Sequence, residues 1–187
     1  MSSLSREPEW TAPSQLEMAH DPAFELRFAA LLEQHGQGIR RVARAYAART
    51  LETEDLVQEI AFALWRALPS FRGECSERTF VFRVAHNRGL SFAQRPRPEP
   101  VESFDDERAL APNPEETLHD VQRREALWRG IRSLQPGARA VLSLALEGLT
   151  HDEIGEVLGI TSNAVGVRLS RARTDLRRAL GGPDEEG

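Results

Sequence analysis

The side chains whose type and spacing could do chemistry in this chain are mostly arginines. Arg168, Arg171, Arg173, Arg177 and Arg178 lie between Ala164 and Leu180 against a single acid, Asp175. A planar guanidinium fork fits a phosphate or the edge of a guanine, so such a row on one helix points to duplex DNA. Every basic residue is Arg and none is Lys, a bias that a GC-rich genome would also produce. A second group, Arg83, His86, Asn87 and Arg88 with Phe82 and Phe92 nearby, interleaves basic and amide groups with aromatics. That mixture suits single-stranded nucleic acid, where bases stack and phosphates pair, but a core helix with a polar rim would read the same way. A third, Asp55, Gln58, Glu59 and Phe62, forms an acidic face with a phenylalanine in it. It is either a docking surface or a solvated face with one apolar residue.

No enzyme constellation accompanies these groups. The sequence has no Walker loop, GxSxG or HExxH, and no pair among its five histidines has metal-ligand spacing. The single cysteine, Cys75, excludes an internal disulfide and a cysteine metal cluster. A redox role for Cys75 stays open, although a lone thiol is more often inert. No metal, cofactor or catalytic residue is therefore expected.

The elements that must position these groups are helical, since no strand pattern occurs. Leu149–Arg173 reads as two short helices and a tight turn. Thr150 and Glu153 form a capping box, and Ile154, Val157 and Leu158 make one apolar face. Gly159 stops the first helix and Thr161 or Ser162 caps the second. In the second, Val165, Leu169 and Ala172 point inward, which leaves Gly166, Ser170, Arg171 and Arg173 largely outside. This is the pattern of a helix-turn-helix, whose second helix enters the major groove, with an αα-hairpin in an ordinary core as the alternative. Thr53–Leu68 is a helix burying Leu56, Ile60 and Leu64 with Val57, Ala61 and Trp65 beside them. Pro69 ends it. A helix from Glu77 to about Phe92 is expected to turn Phe80, Val84 and Ala85 inward and His86 outward. Phe24–Arg49 is helical but interrupted at Gly36-Gln37-Gly38, so two helices or one kinked helix are expected. Glu115–Gly148 supplies two more helices.

Length and charge set the organisation. The chain has 187 residues, enough for one large or two small domains, and 40% hydrophobic content, so a core can form. Residues 95–114 hold five prolines and an acid cluster, so they read as a flexible linker. The expected division is a leader at 1–22, a domain at 23–94, the linker, a domain at 115–182 and a tail at 183–187. Net charge is −5, but acids concentrate near the linker and arginines at the end, and local charge governs DNA affinity. No apolar run approaches the ~18 residues of a membrane span, so no membrane insertion and a cytoplasmic location are expected.

Two motifs in order carry a family resemblance: DLVQEIAFALWRALPSFRGECSERTFVFRVAHN (Asp55–Asn87) and LEGLTHDEIGEVLGITSNAVGVRLSRAR (Leu146–Arg173). Together with the Pro-rich segment between them, they closely resemble the sigma-70 family, in particular the extracytoplasmic-function (ECF) type, which keeps only regions 2 and 4. The resemblance implies an all-α protein that binds core RNA polymerase, directs it to promoter DNA and helps open the duplex. It implies that Asp55, Gln58, Glu59 and Phe62 dock on the clamp helices of the polymerase's largest subunit. It makes Asn87 the reader of a flipped-out base of the −10 element, with Phe71, Arg72, Phe80 and Arg83 around the non-template strand. It places Asn163, Gly166, Val167, Ser170 and Arg171 toward the −35 groove and Arg168, Arg173 and Arg177 near its phosphates. Family members are commonly held by an anti-sigma factor, often membrane-bound. Departures from the family pattern are Phe80 where Trp is usual, Gly155 where Ala is common, and Gly166 at a frequent reading position. The rival reading is a helix-turn-helix regulator that acts without polymerase.

Overall fold

The computed structural model describes residues 21–95 and 118–181. Of the expected divisions, nearly all of the leader, the linker beyond Arg95 and the tail lie outside the described residues. Among the described residues there are seven α-helices and no strand. The helices are α1 (Pro22–Tyr46), α2 (Thr50–Ala67), α3 (Glu77–Ala93), α4 (Leu118–Ser133), α5 (Pro136–Leu146), α6 (His151–Leu158) and α7 (Ser162–Ala179). A short 3-10 turn, Leu68–Ser70, follows α2, where Pro69 cannot continue the α-helical ladder.

The first half is a three-helix unit. The α2 stripe Leu56, Ile60 and Leu64 is completely buried against α1 and α3, and each such side chain contributes about 1.5–3 kcal/mol relative to exposure. Trp65 receives Phe24 and Phe28 edge-on, with centroids 4.5 Å and 4.9 Å away. Asp21 caps α1 by accepting from the Ala23 amide at 3.0 Å, and Ser76 caps α3 by accepting from the Thr79 amide at 3.0 Å.

The expected interruption of α1 is corrected by the structure: Pro22–Tyr46 is one continuous helix. Glycine lowers helix stability by only about 1 kcal/mol, and Gly38 has a packing reason to be there. A Cβ on it would lie 2.8 Å from Phe82 Cζ and 2.7 Å from Glu147 Oε2. The glycine marks a close approach of other elements.

The inward face of α3 is also corrected. Phe82 and His86 are buried, together with Thr79, Val81, Ala85 and Gly89, whereas Phe80 and Val84 are half-buried. His86 is inside because its polar ring is satisfied there: Nδ1 lies 2.7 Å from the Tyr46 hydroxyl. Gly89 lets the Tyr46 ring lie against α3, since a Cβ would meet Tyr46 Cδ2 at 2.5 Å.

The second half comprises α4–α7. Trp128, Ile131 and Leu134 from α4, Val141, Leu142 and Leu144 from α5, Ile154 and Val157 from α6, and Val165, Leu169 and Ala172 from α7 are buried. The two halves touch directly. α1 packs on α4 and α5, and α3 packs on α6.

Candidate functional site

The helix-turn-helix is built by local chemistry. The Thr150 hydroxyl accepts from the Glu153 amide at 3.2 Å and Glu153 accepts from the Thr150 amide at 2.8 Å, closing the capping box. Gly159 ends α6 at φ 66°, in the left-handed region. Thr161 then caps α7 by accepting from the Ala164 amide at 3.2 Å. The turn requires one residue that the sequence did not mark as structural. A Cβ on Gly155 would stand 2.6 Å from the Ile160 carbonyl oxygen, so a side chain there requires the turn backbone to shift and the glycine lets it fold back this closely.

With Val165, Leu169 and Ala172 buried, α7 presents Asn163, Val167, Arg168, Ser170, Arg171, Arg173 and Arg177 to the surface. Gly166 is half-buried beside His151, whose ring lies 3.6 Å from where its Cβ would stand. The outer face of α7 thus carries side chains able to donate to base edges and phosphates, with a gap at Gly166.

The α3 group has a different setting. Asn87 and Arg72 are exposed; Phe71 and Phe80 are half-buried and stack at 4.5 Å with an interplanar angle of 23°. Arg83, from the same cluster, is half-buried and paired. Its Nη2 donates to Glu156 Oε1 of α6 at 2.9 Å. His86, expected to face outward, is withdrawn into the core. Burial holds its imidazole below the ordinary value, and burial pushes the Tyr46 phenol up to about 12. The pair is therefore a neutral buried hydrogen bond, unsuited to contacting nucleic acid.

The α2 face is open. Asp55 and Gln58 are exposed and Phe62 is 62% exposed, with the Arg66 guanidinium 5.9 Å from its ring centroid. Glu59 is occupied: Arg95 grips both of its carboxylate oxygens at 2.7 Å. That hydrogen bond holds the Glu59 carboxyl below its usual range. Arg95 itself rests on the Phe92 ring at 5.0 Å. Sequence spacing could not have found a partner from another helix end, 36 residues away. Among the described residues no group of His, Cys, Asp and Glu could hold a metal ion, and no helix is long and apolar enough to cross a membrane.

Comparison with known proteins decides what these surfaces belong to. A family described as Sigma-70 region 2 matches residues 31–97, and one described as Sigma-70, region 4 matches residues 124–176. The ECF RNA polymerase sigma-E factor of Escherichia coli (strain K12) is 32% identical over 134 residues, covering 65% of this chain and 70% of that protein. The chain is an ECF sigma factor of the sigma-70 family. The ECF RNA polymerase sigma factor SigE of Mycolicibacterium smegmatis is 29% identical over 184 residues, covering 92% of this chain and 71% of that one. Two solved structures share the fold. One is CnrH in complex with the cytosolic domain of CnrY, with TM-score 0.64 and 24% identity over 88% of this chain and 92% of that chain. The other is the sigma factor RpoE in complex with the anti-sigma factor NepR from Bartonella quintana, with TM-score 0.64 and 19% identity over 86% of this chain and 98% of that chain. As a sigma factor, the protein is a transcription initiation factor that binds core RNA polymerase and directs it to promoters.

Proposed function

We propose that this sigma factor divides its work among the three surfaces described above and carries no catalytic site of its own. The outer face of α2, with Asp55, Gln58, Glu59 and Phe62, docks on the clamp helices of core polymerase. Asn87 reads a flipped base of the −10 element, and Phe71, Arg72, Phe80 and Arg83 line the single strand. On α7, Asn163, Val167, Ser170 and Arg171 read the −35 duplex, with Arg168, Arg173 and Arg177 on its phosphates. Gly166 leaves one reading position silent, so discrimination falls on its neighbours. The units follow the earlier division: 23–94 for polymerase and −10 strand, 115–182 for −35, with 95–114 joining them. The protein acts in the cytoplasm and is held there by an anti-sigma factor.

The observation that carries this reading is the occurrence, in one chain and in order, of both region matches, each with an outward polar face. Run-off transcription with purified core polymerase tests it: the protein is expected to start defined transcripts, and Asp55→Lys with Glu59→Lys is expected to weaken core binding at least tenfold. Specific DNA binding with no complex with core would move the protein to the class of regulators that act alone.

A further inference from the structure

The row of α7 side chains offered to the −35 groove is interrupted. Asn163, Gly166 and Ser170 follow one another at spacings of three and four, so they share one face of the helix. Asn163 and Ser170 are exposed and polar, whereas the position between them has no side chain. Another helix fills the gap. The imidazole of His151, the first residue of α6, lies beside the bare Gly166 backbone. Its Cε1 is 3.6 Å and its Nδ1 3.7 Å from where a Cβ of residue 166 would stand. That is ordinary van der Waals contact, so alanine would fit at 166, but a longer side chain would compete with the ring for the same space.

The backbone fixes the ring's place. The Thr150–Glu153 capping box starts α6 at His151. The Ile160 amide donates to the Gly155 carbonyl at 3.0 Å, and Ile154 and Val157 are buried along with Val165 and Leu169, so α6 is held against α7. The ring itself is uncommitted. His151 is exposed, and among the described residues its nitrogens have no hydrogen-bond partner. A neutral imidazole carries one N–H donor and a protonated one carries two. In the major groove guanine presents two acceptors, N7 and O6, where cytosine presents a donor. A ring N–H at this edge therefore favours guanine over cytosine in either protonation state. A contact to phosphate would instead strengthen binding to every sequence alike.

We propose that His151 is a specificity-determining residue of the −35 site: its imidazole, carried by α6, fills the reading position that Gly166 leaves vacant on α7 and selects guanine at one base pair. The proposal rests on the assignment of α7 to the −35 duplex and adds a base reader from the other helix of the motif.

The test uses the full chain bound to core polymerase. The probe is a pool of duplexes built on a promoter that the wild type transcribes and randomised across the −35 segment, with the bound fraction sequenced. The wild type is expected to enrich guanine at one base pair. His151→Ala is expected to lower that enrichment about fivefold, the low end for loss of a base contact, while preferences at the other pairs persist. His151→Phe keeps a ring against Gly166 but removes its donors, and is expected to lose the same preference; a preference retained by phenylalanine would overturn the proposal. In a Gly166→Arg background, where the long side chain displaces the ring, His151→Ala is expected to change nothing further at that pair. Independent effects there would overturn it, as would an unchanged profile in His151→Ala. An equal loss for all sequences would make His151 a phosphate contact and overturn it too. Both His151 variants keep Thr150 and Glu153, and helical circular dichroism checks that α6 survives; if one variant unfolds, the other decides. Arg171→Ala is run alongside. A preference lost there but untouched by His151→Ala overturns this inference alone, whereas a wild type that enriches no base anywhere in the segment overturns the −35 assignment together with it.

Discussion

Helices α3 and α7 are both assigned to DNA, yet they are built in opposite ways. α7 buries one stripe, Val165, Leu169 and Ala172, and leaves its polar and arginine-bearing face outward. α3 is gripped on several sides: Phe82, His86 and Gly89 by α1, Val81 and Ala85 in the core of the first half, and Arg83 by α6. A helix that reads an intact duplex needs a clear face to enter a groove. A surface that captures an unpaired strand needs pockets and stacked rings instead, such as the Phe71–Phe80 pair beside Asn87. The price of α3's construction is that part of its face can be covered by the protein itself.

This contrast can be broken or sharpened by substitution. The largest effect is expected at Gly155→Leu. The new side chain must displace the Ile160 backbone, which overpacking puts at about 1–3 kcal/mol. Thermal unfolding should show the second half weakened, and −35 binding should fail although no base-reading residue has changed. Next, Arg171→Ala on α7 and Asn87→Ala on α3 should separate the two modes. The first is expected to cost about 1–3 kcal/mol on duplex −35 DNA if the contact is bidentate. The second is expected to leave duplex and core binding intact and reduce open complexes measured by permanganate footprinting. A uniform loss across all duplex sequences for Arg171→Ala would make it a phosphate contact.

A smaller effect concerns pH. Burial lowers the pKa of both His35 and His86 in the folded protein. Below about 6.5, the ordinary imidazole value, the unfolded chain takes up protons that the folded chain refuses. The stabilisation is therefore present above that value and is lost as pH falls toward the lowered folded values. The melting temperature should drop between pH 7.5 and 5, and less steeply for His86→Gln; equal slopes would show that the Tyr46–His86 pair is not the sensitive point. The smallest expected effect is at Arg95→Ala. Freeing Glu59 from an exposed ion pair should tighten core binding by only a few-fold, since such pairs contribute little. Titration calorimetry with core polymerase would detect it.

How much of this was legible beforehand follows from what buries each element. The helix-turn-helix could be read residue by residue because its signals are local: Thr150 and Glu153 cap within one turn, Gly159 takes a positive φ, and a single buried stripe gives a clean helical period. The α2 stripe was legible for the same reason. The burial of Phe82 and His86 was not, because α3 is covered from more than one direction and its apolar and polar residues no longer alternate with a single face. Likewise Gly38 reads as a helix breaker in sequence and acts as a contact point in space.

The sequence by itself determined the all-helical class, the helix-turn-helix with its caps, the tight turn at Gly159 and the family, because capping, chain reversal and amphipathic period are written within a few neighbouring residues. Only the tertiary structure decided which charges meet: Arg95 with Glu59, Arg41 with Glu147, Arg83 with Glu156. Those partners lie between 36 and 106 residues apart, and a Coulomb attraction at contact distance leaves no periodic mark on the chain that carries it.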